Sequence, residues 1–461
     1  AAAAEAALPV AYNGSAIVVG DFDSDGSDDI AVGALGLGVR GAAPRSGGVS
    51  LRYGGGREPT ALNGSASANA RFGEAMGVLD FNLDGVDDLA VGSPGESGWD
   101  LHAVPPVTPY PFGASPSFRL WGRVTVYFGR KGRGLRPEDS LVVTTSSAFT
   151  ALGSVVSAGD ADGDGAADLL LGCVAASGYA GRVVLLTSSS ARRAGATIDL
   201  DSAPVLADLH SPEPYGWFGS ALAVVGSTLL VGAPYARADP SCSVSCEELG
   251  RVYGYELSGL RGRTHRPDRA VSAGPSFSLL GDVPLGGFGR VLAAGGGAVG
   301  ISAPDSEGEH GAAGAGAVYL LNASSVEALH GAGERNISAV QTLATVRGLS
   351  PRGRLGLTLS LGGTGGAPAL VVSAPHEDED ADFASREMGV VWAWAALPTG
   401  ERNTSSASRS WRGARPRGQF GRAIAIARGA ARGAVLLVGS PRATVAGAEQ
   451  AGCVDEVQVG A

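Results

Sequence analysis

Lysine is almost missing from this chain. Lys131 stands alone among 35 basic residues, and asparagine occurs only seven times in 461 positions. Charged residues make up 17% and the formal net charge is −10, which argues against a nucleic-acid binder held by phosphate contacts. No apolar run reaches the ~18 residues that a membrane span needs; the best candidate, 423–438, is cut by Arg428 and Arg432. Four cysteines are too few for a disulfide scaffold. The six histidines, His102, His210, His265, His310, His330 and His376, are scattered, without the spacing of a zinc centre. No Ser/His/Asp set, phosphate loop or paired carboxylate marks a catalytic site. Glycine, by contrast, occurs 73 times. At that density long helices dissolve, which excludes a coiled coil. The glycines follow no three-residue period, which excludes collagen. Hydrophobic residues at 44% exclude global disorder. The abundance of Ala and Arg beside one Lys reads as GC-rich coding bias and is discounted as a fold signal.

The scarce asparagines are placed unevenly. Asn13, Asn63, Asn322, Asn336 and Asn403 all stand in N-x-S/T sequons, where chance puts roughly one or two. The chain opens AAAAEAALPVA without Met. Together these features predict a secretory-pathway glycoprotein, extracellular or at the cell surface, processed or cut from a longer precursor. Cys242 and Cys246, in CSVSC, could bridge within one loop. Cys173, in the apolar LLLGC, is expected to be a buried thiol. Cys453 is either free or paired with another chain.

Self-similarity is the strongest feature. A short apolar strand ending in small residues recurs seven times: IAVGA (30–34), LAVGSP (89–94), LLLGC (169–173), LLVGAP (229–234), VGISAP (299–304), LVVSAP (370–375) and LLVGSP (436–441). Phe72-Gly73, Phe218-Gly219, Phe288-Gly289 and Phe420-Gly421 precede four copies. Leu152-Gly153 and Leu355-Gly356 are weaker versions, and the first copy lacks the element. Alternating strands begun by glycine follow, as in GRVTVYFG (122–129) and GAVYLL (316–321). Each unit of about 65 residues thus holds three or four short strands, which fits one propeller blade. Seven units predict an all-β, seven-bladed β-propeller as a single domain over 1–461. The expected blades are 12–58, 59–138, 139–200, 201–262, 263–330, 331–400 and 401–461.

Three of the seven hairpins carry a charged loop. Position 1 is Asp21, Asp80 or Asp160; position 3 is Asp23, Asn82 or Asp162; position 5 is Asp25, Asp84 or Asp164. Position 9 is Asp29, Asp88 or Asp168, and the carbonyls of Ser27, Val86 and Ala166 complete the sets at position 7. Oxygens at this spacing, with a glycine turn at position 6, make a hard-cation site suited to Ca²⁺. An EF-hand would need Glu at position 12, where Val32, Val91 and Leu171 stand in apolar strands. Three Ca²⁺ ions are therefore expected. The corresponding stretches 223–230 and 292–300 are short and neutral.

These motifs resemble the FG-GAP repeats of the integrin α-subunit propeller over nearly the whole chain. They are closer still to the C-terminal propeller of the glycosylphosphatidylinositol-specific phospholipases D. The segments that carry this likeness are RFGEAMGVLDFNLDGVDDLAVGSP (71–94), VTVYFGRKGRGL (124–135), WFGSALAVVGSTLLVGAP (217–234) and GRVYGY (250–255). The resemblance implies a seven-bladed propeller with calcium on one face. In those phospholipases it also implies a separate N-terminal zinc domain that carries the chemistry. This sequence holds no such zinc cluster, so that activity is not carried onto it.

Other segments have ordinary readings. The insertion 95–121 holds Trp99, Tyr110, Phe112, Phe118 and Trp121, which either cover the loop's own base or form a binding surface. Arg130, Lys131, Arg133 and Arg136 read as a solvated hairpin, with a site for an anionic lipid or glycan as the alternative; the acidic run Glu377 to Asp380, with Asp382, reads as a solvated loop, with a weak cation site as the alternative. The functional expectation is a secreted, calcium-stabilised interaction, adhesion or assembly module. Its partner would be an extracellular protein or glycan, or other subunits of an assembly. The alternative is the propeller portion of a phospholipase D-like enzyme. Connections alternate between the two faces, so the long loops 95–121, 235–249, 305–315 and 376–388 are expected opposite the Asp loops, where recognition sits.

Overall fold

A computed structural model describes residues 13–35, 45–65, 67, 69–96, 121–147, 149–239, 247–260, 274–362, 367–378, 387–429, 433–445 and 451–459. Their strands form seven sheets, each a meander of antiparallel strands. The innermost strands are Asn13–Gly20, Met76–Leu79, Val155–Gly159, Ala221–Val225, Leu292–Gly295, Leu359–Leu361 and Ala423–Gly429. Each touches the next around the axis, and the last touches the first. The fold is therefore a closed seven-bladed β-propeller. Among the described residues helices are single turns, the longest being Ala323–Glu327. None is long and apolar enough to cross a membrane.

The second strand of a blade lies between neighbours on both faces. Asp88–Ser93 and Asp168–Cys173 are buried at every position. A strand buried on both sides reads as a continuous apolar run, which is why the repeat was visible. The core is divided among the blade interfaces. One cluster joins Leu79, Val124 and Val126 of the second blade to Leu169, Leu171 and Val184 of the third. Another joins Ile17 of the first blade to Ala423 and Leu437 of the seventh and closes the ring.

The expected blade limits fall one strand early. Thr60–Asn63, Ser140–Thr144, Ala207–His210, Phe277–Leu280, Ala344–Arg347 and Arg409–Arg412 each complete the preceding sheet. These outer strands face solvent on one side, so their apolar signal is weak. Three sheets gain a further strand that pairs in parallel with the outer one: Thr197–Asp199, Gly333–Asn336 and Gly400–Asn403. Each comes from the following blade and covers an edge that would otherwise be open. The last two share the sequence GERN, a repeat that could have disclosed them.

Glycine recurs because blades meet backbone to backbone. A Cβ added to Gly92 would strike the carbonyl oxygen of Gly153 in the next blade; Gly232 meets Gly289 and Gly439 meets Gly14 in the same way. The last contact supplies the element missing from the first blade. Gly14, with φ of 90°, takes the place of the F-G glycine, and Asn13 stands where the aromatic would be. Because the carbonyl at Gly92 belongs to rigid backbone, Gly92→Ala is expected to lower stability by about 1–3 kcal/mol. Chemical denaturation measures the loss; an unchanged midpoint contradicts the close approach.

Candidate metal centres

The three Asp loops join the first and second strands of blades one, two and three. All three fold alike. The position 1 carboxylate accepts backbone N–H groups from inside its own turn: Asp25 and Gly26 donate to Asp21, Asp84 and Gly85 to Asp80, and Gly163 and Gly165 to Asp160. The position 9 carboxylate ties the loop to its flanks. Asp29 accepts from Phe22 and Gly54, Asp88 from Phe81 and Gly129, and Asp168 from Ala161 and Ser188. Position 5 caps the turn by accepting the position 7 amide: Ser27 donates to Asp25, Val86 to Asp84, and Ala166 to Asp164.

Positions 1, 3 and 9 converge. Asp21, Asp23 and Asp29 offer oxygens that all lie within 4.8 Å of one another, and so do Asp160, Asp162 and Asp168. The middle loop has an amide at position 3, where Asn82 Nδ2 donates to Asp84 at 3.0 Å. Burial raises Asp29 to about 6 and Asp88 to about 8, above the usual carboxylate range. Burial also raises Asp168 and Asp23, and Asp25 adds repulsion at Asp23. Positive charge nearby is sparse. Arg57 reaches Asp23 at 3.2 Å and Arg130 reaches Asp84 at 3.0 Å. Asp23 is 3% exposed, and its Oδ1 has no hydrogen-bond partner. A buried, orphaned carboxylate oxygen within an all-oxygen cluster fits a hard divalent cation.

Other expected sites resolve unevenly. Asn63 and Asn322 are exposed. Asn336 and Asn403 are half-buried; each Oδ1 accepts the N–H and hydroxyl of the serine two residues on, Ser338 and Ser405. Asn13 begins the first inner strand. Cys242, Cys246, Trp99, Tyr110, Phe112 and Phe118 lie outside the described residues. Cys173 and Cys453 are free and buried. The acidic run is corrected at its start: Glu377 is 7% exposed, accepts a hydrogen bond from Ser350, and is raised by burial. Arg130 is likewise not merely solvated, since it pairs with the second Asp loop.

One buried charge network was not anticipated. Arg182, 6% exposed, bonds Asp201 and Asp208, each at 2.8 Å. Thr145, Ser146 and the Ser147 amide also donate to Asp201, which joins two blades. Burial alone would raise both carboxyls. Hydrogen bonds from Thr145 and Arg182 at Asp201, and from His210 and Arg182 at Asp208, outweigh it and hold both below their usual range. Their stabilisation is therefore complete above the unfolded carboxylate value of about 3.9 and is lost as pH falls through the folded ones. Arg182→Ala is expected to cost about 3–5 kcal/mol at neutral pH and to flatten the loss of stability below about pH 4. Denaturation at pH 7 and pH 3 checks both; equal slopes with pH for the two proteins contradict the assignment.

Comparison with known proteins agrees with this architecture. Residues 72–105 match the FG-GAP repeat family. The chain is a seven-bladed β-propeller that carries an FG-GAP repeat at these residues. It is 29% identical over 313 residues to the phosphatidylinositol-glycan-specific phospholipase D of Rattus norvegicus, a match spanning 62% of this chain and 33% of that protein. The protein of the same name from Dictyostelium discoideum is 30% identical over 274 residues, covering 53% of this chain and 27% of its own length. The chain thus matches about a third of the length of these relatives. A solved structure of BBS1N in complex with ARL6DN aligns over 98% of this chain and 94% of that one at 10% identity. Its TM-score is 0.46, too low to bear on function.

Proposed function

We propose that this chain is the calcium-loaded propeller of an extracellular glycoprotein and that its task is recognition. Three Ca²⁺ ions would be held by Asp21, Asp23, Asp29 and their counterparts, with Asp25, Asp84 and Asp164 and the carbonyls of Ser27, Val86 and Ala166 completing each shell. The face opposite presents the long connections to a protein or glycan ligand, or to other subunits of an assembly. The observation that carries this reading is one Asp loop repeated at the same hairpin in three blades, its carboxylates converging in the first and third, with a buried orphan oxygen at Asp23. Extracellular sites of this class bind at roughly 10⁻⁴–10⁻³ M. At tenfold excess over Kd, three independent sites stabilise the fold by about 4 kcal/mol. Chelation is therefore expected to lower the melting midpoint, and elemental analysis to find three calcium ions per chain. A midpoint indifferent to chelator, with no bound metal, overturns the reading.

Glycans are expected at Asn63 and Asn322, the exposed sequons. Glycopeptide mass spectrometry of native material decides this, and unmodified asparagine at all five sequons removes the argument for a secretory route.

A second reading makes this chain the propeller portion of a phosphatidylinositol-glycan-specific phospholipase D-like enzyme whose chemistry lies on another domain. The similarity across 62% of the chain favours it. It expects release of a glycolipid-anchored reporter by a parent protein that carries a zinc domain, and none by residues 1–461 alone.

A further inference from the structure

The inner strands begin at one mouth of the central channel and run to the Asp loops at the other. The residue after each F-G glycine, or its counterpart, stands at that first mouth: Ser15, Glu74, Ser154, Ser220, Arg290, Leu357 and Arg422. The mouth is electrically lopsided. Ser154 and Ser220 turn their hydroxyls back onto the carbonyls of Ala151 and Trp217, and Leu357 is buried. Blades five to seven instead place guanidinium groups there. Arg354 immediately precedes its Leu-Gly pair, and Arg442 follows the Ser-Pro turn of the last blade.

By their places in the repeat, Arg290, Arg354, Arg422 and Arg442 all belong to this end of their blades. Arg422 keeps solvent contact, yet the protein crowded around it lowers it first; the charges of Arg290, Arg354 and Arg442 lower it further, while Glu74 of blade two acts the other way. Glu74 is itself engaged by Arg71 at 2.9 Å. Asp305 holds Arg354 at 2.7 Å, and Glu387 lies 3.7 Å from Arg442. Among the described residues Arg290 and Arg422 form no ion pair with a carboxylate. The Arg290 guanidinium lies 6.0 Å from the ring centre of Trp217, which continues into Tyr179 and Tyr235.

The surrounding turns are strained as well as exposed. Phe149, Tyr215 and Leu285 sit three residues before their F-G or L-G pairs with φ of 59°, 60° and 57°. They are 41%, 58% and 68% exposed. A large apolar side chain in left-handed backbone, turned to solvent, costs about 1–2 kcal/mol. The same left-handed turn recurs at Asn69, Arg352 and Arg417, so it belongs to the repeat, and what distinguishes these three positions is the exposed apolar side chain.

A chain of net charge −10 brings four guanidinium groups within electrostatic reach of one another, and among the described residues two of them, Arg290 and Arg422, form no direct ion pair. Arginine supplies five fixed donors and matches oxyanions in paired geometry. A lone carboxylate brings one charge. A phosphate monoester brings about −1.5 to −2 and three acceptor oxygens, enough for two unpaired guanidiniums. We propose that Arg290, Arg354, Arg422 and Arg442 form a binding site for a phosphate monoester at the channel mouth opposite the Asp loops, flanked by Trp217. The proposal deepens the reading of this face as the recognition surface.

Calorimetric titration with glycerol 2-phosphate tests it. One molecule is expected to bind per chain. Arg422→Gln and Arg290→Gln are each expected to weaken binding at least about tenfold, the loss of one charge-assisted pair. Arg422→Lys keeps the charge without the fork and falls between. Glu74→Gln is expected to tighten binding, an effect that general damage to the fold would not produce. Vesicles of phosphatidylcholine with phosphatidic acid distinguish the source. Retention that is lost in Arg422→Gln places the phosphate on a lipid, and binding in solution without retention places it on a soluble ester. No binding of either probe, or equal binding by wild type and both Gln variants, overturns the proposal. Calcium-dependent melting is measured in parallel: phosphate binding that persists in a chain indifferent to calcium sinks the calcium reading and leaves this site standing.

Discussion

Everything in this molecule depends on how closely adjacent blades approach at the axis. The second strand of one blade lies with its glycine Cα against the glycine carbonyl of the next, with no room for a side chain. In five of the blades the glycine of the F-G or L-G pair donates its N–H to the second strand, as Gly73 does to Gly92 and Gly219 to Gly232. One residue type thus closes the blade on itself and fits it against its neighbour. Ser302 and Ser373 replace glycine in blades five and six, and there the hydroxyl is used: Ser302 accepts from Val291, and Ser373 meets Thr358. The ring tolerates a larger residue only where that residue also satisfies the backbone it displaces.

The Asp loops extend this logic to the other end of the blades. The carbonyl of Phe22, inside the first loop, accepts the N–H of Arg130 from blade two. The carbonyl of Phe81, at the same place in the second loop, accepts from Ser189 of blade three. Asp87 reaches back to take the N–H of Asp21. Each of these loops is therefore clamped between two blades, and a cation held in it would fasten the pair rather than a lone turn. Blades four and five need no such fastening at this end, because their hairpins close directly from Val225 to Thr228 and from Gly295 to Ala298.

What could be read from the sequence was what burial writes plainly. Strands covered on both faces gave unbroken apolar runs, and the Asp spacing was legible because ligand geometry leaves little freedom. The outer strands were placed one blade too late, since TALN and RSWR are half polar and carry no comparable signal. The first blade's F-G element was missed because its aromatic is Asn13, while the glycine that matters, Gly14, remained. Glu377 was read as solvated because it opens an acidic run, and charge alone does not reveal a buried partner such as Ser350. The Arg182 network was invisible for a related reason: Arg182, Asp208 and His210 sit on neighbouring strands of blade three, and Asp201 meets Thr145, Ser146 and Ser147 only when blade two packs beside it.

The two mouths of the channel divide the charge of the protein. The acidic end is built from contiguous loop residues, so each cluster is a local property of one hairpin and can recur blade by blade. The basic end is composite. Arg290, Arg354, Arg422 and Arg442 come from blades five, six and seven, and no single blade contributes more than Arg422 and Arg442 together. A local cluster repels itself whether or not the chain is folded, and a cation bound there would relieve that repulsion. A composite cluster acquires its repulsion only when the ring forms, and folding must then absorb it. Asp305 and Glu387 neutralise the two arginines nearest the rim, and Glu74 of blade two tempers Arg422. The repulsion that remains is confined to the mouth, where solvent reaches Arg422 and screens it. That residue of uncompensated charge is the cost of an entrance selective for anions on a protein that elsewhere repels them.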